Sequence, residues 1–100
     1  MANPSIQQLQ KHIRTMAANS FNVLVTNHAA KRMKQRQITR PMMFDVLLNG
    51  TIGMRPEPDI KGGMNCRMLR YVAGVNVCVV VNVDYPAPEL FVITVIDVSN

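Results

Sequence analysis

The sequence predicts an α+β domain in which helices come first and an antiparallel sheet of about four strands follows. Up to Asn49-Gly50 the apolar residues recur at intervals of three and four, whereas beyond Gly50 they alternate. The chain has 100 residues, 48% of them apolar, which is enough for one hydrophobic core. No internal repeat, low-complexity run or long linker divides it, so residues 1–100 are expected to form one domain.

From Ser5 to about Ala18, the apolar residues Ile6, Leu9, Ile13, Met16 and Ala17 alternate with Gln7, Gln8, Lys11 and Arg14, the pattern of an amphipathic helix. Pro4 suits its first turn and Asn19-Ser20 its end. Phe21 to Val25 reads as a short extended segment. Thr26 or Asn27 then offers an N-cap for a second helix, His28 to Arg36, which Gln37-Ile38 ends. Thr39 caps a third helix with Pro41 in its first turn and Asn49-Gly50 at its close. This helix is apolar nearly all round, through Met42, Met43, Phe44, Val46, Leu47 and Leu48, and is expected to pack on two sides.

Thr51 to Arg55 reads as a strand, and Pro56, Pro58, Gly62 and Gly63 mark a loop. Met64 to Val72 and Val75 to Val83 flank Ala73-Gly74 as a hairpin, and Leu90 to Val98 forms the last strand. Val75, Val77, Val79, Val81 and Val83 share one face; Asn76, Cys78, Val80 and Asn82 share the other. The sheet therefore has an apolar side for the helices and a mixed side open to solvent. In a two-residue hairpin Cys78 faces Leu69 and not Cys66, which argues against a disulfide, and both thiols are read as reduced core residues.

Charge is distributed unevenly. The net charge is +5, and no acid precedes Asp45, whereas Lys11, Arg14, Lys31, Arg32, Lys34, Arg36 and Arg40 all do. Such asymmetry creates a positive face for polyanions or anionic membrane surfaces, or simply a solvated one. No apolar run is long enough to span a bilayer, and no charged start with an apolar run marks export, so a cytoplasmic protein without membrane partner is expected. The cysteines, His12 and His28 lack metal-ligand spacing; neither metal nor cofactor is expected.

On the second helix, positions four apart bring His28, Arg32 and Arg36 onto one polar stripe, while Ala29, Ala30 and Met33 lie on another side. Guanidinium forks match phosphate oxygens, and an imidazole exchanges a proton near neutral pH. The plain alternative is a histidine bonded to backbone near an N-cap and two solvated arginines.

The run Asn27-His28-Ala29-Ala30-Lys31-Arg32-Met33-Lys34-Gln35-Arg36-Gln37-Ile38-Thr39 resembles the His-Ala-x-x-Arg-Met-x-x-Arg-x-Ile-[Ser/Thr] signature of a family of small bacterial domains of unknown function. That family is grouped with toxins of the RelE, BrnT and MqsR type, in the wider barnase, EndoU, colicin and RelE ribonuclease-like fold. Val46-Leu47-Leu48-Asn49-Gly50 and Phe91-Val92-Ile93-Thr94-Val95 are similar to its helix end and closing strand, and the likeness covers roughly residues 20–98. It implies two helices on an antiparallel sheet, with an RNA-binding cleft between helices and sheet. It also implies a metal-independent endoribonuclease in which the ribose 2′-hydroxyl attacks the adjacent phosphate. His28 would then be base or acid, Arg32 and Arg36 the cations, and Tyr71 and Thr94 further catalytic candidates on the sheet. Lys31, Lys34, Arg40 and Arg67 would contact nucleic acid.

No second histidine lies in the strand region to pair with His28, because His12 belongs to the first helix. The alternatives are a noncatalytic nucleic-acid-binding module, for RNA or DNA, and a protein-interaction module of a bacterial mobile element that engages an antitoxin or another partner. Met33, Met42, Met43, Met64 and Met68 suit either an adaptable partner surface or core filling.

Overall fold

The computed structural model describes residues 4–98, a three-helix layer packed on one face of a mixed six-stranded sheet. Helix α1 (Ile6–Ala17) begins at a capping box: the Ser5 hydroxyl accepts from the Gln8 amide, and the Gln8 side chain accepts from the Ser5 amide at 2.7 Å. Pro4 thus precedes the cap instead of occupying the first turn. A single 3₁₀ turn, Ser20–Asn22, leads into β1 (Val23–Val25).

Helix α2 (Asn27–Arg36) is capped by Thr26 and ends at Gln37, whose φ of 57° places it in the left-handed region common at helix ends. Helix α3 (Arg40–Asn49) is capped by Thr39 and stops at Gly50, where a Cβ would lie 2.5 Å from the Val46 oxygen and 2.8 Å from that of Leu69. Only glycine permits that approach. As its apolar girth predicts, α3 packs between α1 and the sheet.

The remaining strands are β2 (Thr51–Ile52), β3 (Glu57–Pro58), β4 (Met64–Val72), β5 (Val75–Val83) and β6 (Leu90–Asp97), in the order β1-β6-β5-β4-β2 with β3 also on β4. Two expectations change here. The sheet has six strands, and β1 pairs with β6 in parallel, with Leu24 beside Phe91. Two helices and a hairpin separate β1 from β6, so no tight turn forces the antiparallel direction. The strand expected over residues 51–55 ends at Ile52: Gly53 still donates to the Arg67 carbonyl, but Pro56 has no N–H with which to continue the ladder.

The β4–β5 hairpin turns on Ala73 and Gly74, both at positive φ, and Cys78 stands opposite Leu69 as anticipated. Cys66 and Cys78 are free. One sheet face carries Cys66, Met68, Val77, Val79, Val81, Val83, Leu90, Val92 and Val95, which form a single core with Leu9, Ile13, Ala29, Met33, Met43 and Leu47 from the helices. The methionines fill this core: Met33, Met43 and Met68 are buried, and Met42 and Met64 pack against it. The other face presents Arg67, Leu69, Tyr71, Cys78, Val80, Phe91, Thr94 and Ile96, the alternate positions of β4, β5 and β6. Both thiols are buried as anticipated, Cys66 within the cluster under the helices and Cys78 on the opposite face of the sheet.

Candidate functional site

Helix α2 is held at its start by one side chain. The Thr26 hydroxyl accepts from the Ala29 amide and donates to the carbonyls of Val92, at 2.9 Å, and Ile93, at 3.2 Å. Val80 pairs with Thr94 and Val81 with Val92, so Ile93 is the extra residue of a β-bulge. Thr26 therefore docks the first turn of α2 onto the bulged part of β6.

Beyond that anchor, Ala29 and Met33 enter the core, and each residue of α2 advances about 100° around the axis. Outside that core-facing side the helix carries His28, Lys31, Arg32 and Lys34, with Arg36 on its exposed last turn and no acid anywhere along it. Ala30, which lies off the polar stripe, is nonetheless exposed. Arg32 is half-buried and the other four are exposed. None of the five has an ion-pair or hydrogen-bond partner among the described residues. His28 is thus neither sealed nor bonded to backbone, the arrangement a structural histidine requires.

The other candidates lie elsewhere. Arg67 and Thr94 flank Val80 in one row across β4, β5 and β6, on the face opposite the core. Tyr71 stands opposite Asn76 on that same face, 65% exposed. Because α2 packs on β6 through the core face, the helix stripe and these sheet residues belong to different sides of the sheet. Ala29 and Met33 fill the space between α2 and the sheet with core side chains. Arg40 lies 5.8 Å from the centre of the Phe44 ring, a cation–π contact on its own helix.

Two side chains have roles that spacing did not reveal. His12 is buried, its Nε2 donates to the Ala87 carbonyl at 2.7 Å, and its ring meets that of Tyr85 edge-on at 5.0 Å. It ties α1 to the β5–β6 loop. Arg14 donates to the Gly50 carbonyl at 2.7 Å and to that of Asn49 at 3.3 Å, capping the C-terminus of α3 with a cation. Their partners are 75 and 36 residues away, so no local pattern marks them.

Burial pushes the Cys66 thiol up to about 11. Burial also raises Cys78, against the opposing pull of the Arg67 charge. Both remain thiols at neutral pH and are poor nucleophiles. Among the described residues no group of His, Cys, Asp or Glu side chains is arranged to hold a metal ion, and no helix is long and apolar enough to cross a membrane.

Residues 25–97 match the family model of a domain of unknown function, DUF4258. The match begins at the end of β1 and closes at the end of β6, leaving α1 outside it. No curated protein and no solved structure matches the chain.

Proposed function

This chain belongs to the DUF4258 family, and we propose that it is an RNA-binding domain of the cytoplasm whose contact surface is the outer face of α2. The observation that carries this reading is the set of Lys31, Arg32, Lys34 and Arg36, with His28 at its start and no acid on the same helix. Unpaired cations on a rigid element are a ready contact for a phosphate backbone, because each one that meets a phosphate releases condensed counterions. The resemblance of this helix to the signature grouped with RelE-type toxins supports RNA over other polyanions. Binding of a labelled RNA at several salt concentrations tests the proposal. Affinity is expected to fall steeply with salt and to drop further in an Arg32→Ala/Arg36→Ala variant. Salt-insensitive or absent binding overturns it and leaves a protein-interaction module; equal binding of DNA widens the ligand class.

A second reading, metal-independent cleavage of that RNA, is favoured by the exposure of His28 one helical turn from Arg32. The separation of Tyr71 and Thr94 from α2 weighs against it, since both candidates for the second proton-transfer role stand on the opposite face of the sheet. Incubation with mixed RNA in EDTA decides between binding alone and cleavage.

A further inference from the structure

At the N-terminal end of α2, the open face of the sheet does not end flat. Leu24 and Phe91, paired across β1 and β6, form with Val25, Thr26 and Asn27 an open hollow of about 320 Å³. Both large side chains are exposed, Phe91 to 44% and Leu24 to 42%. An aromatic ring left half in water at the rim of a hollow offers a stacking surface. Asn27, whose side chain has both a donor and acceptors, lines the same hollow and begins the basic helix.

Along α2, His28, Arg32 and Arg36 succeed one another at about 6 Å per step, since four residues rise 1.5 Å each. That step is similar to the phosphate repeat of an extended polynucleotide strand. Asn27 joins the hollow to the first turn of α2, so a strand seated on the open face of the sheet would pass over that turn to reach the row of positive charges that begins at His28. A protein segment would match the hollow but leave the row unneutralised unless it were acidic throughout; a nucleic acid strand matches both.

We propose that the Leu24–Phe91 hollow receives one unstacked base of a strand whose phosphates run along α2, so that the ligand is single-stranded RNA and not a duplex. This rests on the reading of α2 as an RNA-contacting surface and specifies its substrate. In a duplex the bases are paired and stacked away from side chains, and only a single strand or a loop can place one on an aromatic ring.

The test uses the full chain, a labelled oligo-uridine single strand, and a labelled oligo-adenosine–oligo-uridine duplex of equal length. The wild type is expected to prefer the single strand. Phe91→Ala should weaken single-strand binding about 5- to 150-fold, the range for losing one base–aromatic stack, and leave duplex binding unchanged. Phe91→Trp, which keeps a ring on the same strand, should retain or exceed wild-type affinity, and it separates stacking from a folding defect in the alanine variant. Equal affinity for both probes, or a Phe91→Ala variant that folds and binds the single strand like the wild type, overturns the hollow as a base seat while leaving the role of α2 standing. If neither probe binds the wild type, both readings fall together.

Discussion

The Val92 carbonyl is bonded twice by Thr26, by its amide at 3.1 Å and by its hydroxyl at 2.9 Å, so that one residue joins β1, the start of α2 and the bulge of β6. The same hydroxyl accepts from the Ala29 amide as the helix cap. Thr26→Ala removes cap and strand bond together and is expected to cost about 1–2 kcal/mol, at the upper end for cap losses. Thr26→Ser keeps both bonds and should recover most of it. Urea denaturation of the three proteins checks this; equal midpoints for the alanine and wild-type chains would mean that the cap is solvated at no cost.

His12→Ala should destabilise the fold by about 1–3 kcal/mol, because it leaves the Ala87 carbonyl without its donor and removes the edge-on contact with Tyr85. Hydrogen exchange should locate part of the loss in the β5–β6 loop, residues 84–89. A uniform loss across the sheet would show that the histidine acts only by filling space.

For His28 the expectation is the reverse. It is exposed and without a bonded partner among the described residues, so His28→Ala should change stability by no more than about 0.5 kcal/mol. If the protein cuts RNA, that substitution should lower the rate about a hundred- to ten-thousand-fold, the usual contribution of a general acid or base. A loss of only a few-fold assigns His28 to phosphate contact. Arg14→Ala provides the contrast: it should leave RNA affinity nearly unchanged and lower stability, since its guanidinium is engaged at the end of α3.

Alkaline pH should weaken the fold through Cys66. Its folded pKa is raised from 9.0 to about 11, so the thiol form favours the folded state. That contribution is complete below the unfolded value and is lost as pH rises from 9 toward 11, a difference of about 2–3 kcal/mol. Stability measured between pH 8 and 11 should fall less steeply in Cys66→Ala than in the wild type. Parallel profiles would show that other groups govern the alkaline transition.

The elements were legible where a local signal names them. Thr26 and Thr39 are polar residues at helix starts, Ala73-Gly74 separates two alternating runs, and the valines of β5 announce their own core face. The parallel pairing of Val23–Val25 with β6 was not legible, because three apolar residues carry no mark of direction. The same limit applies to the site. Helical periodicity placed His28, Arg32 and Arg36 together, but whether Arg67, Tyr71 and Thr94 join them depends on which side of the sheet α2 covers. That is decided by Ala29 and Met33 entering the core, not by the spacing of the polar residues.

The cap that Arg14 places on α3 ties the matched stretch to a helix that lies outside it. The family match starts at residue 25, yet Leu9, Ile13 and Ala17 are buried in the common core, and the Gly50 carbonyl takes its donor from α1. A fragment cut to the matched residues would expose one flank of α3 and leave that helix end open.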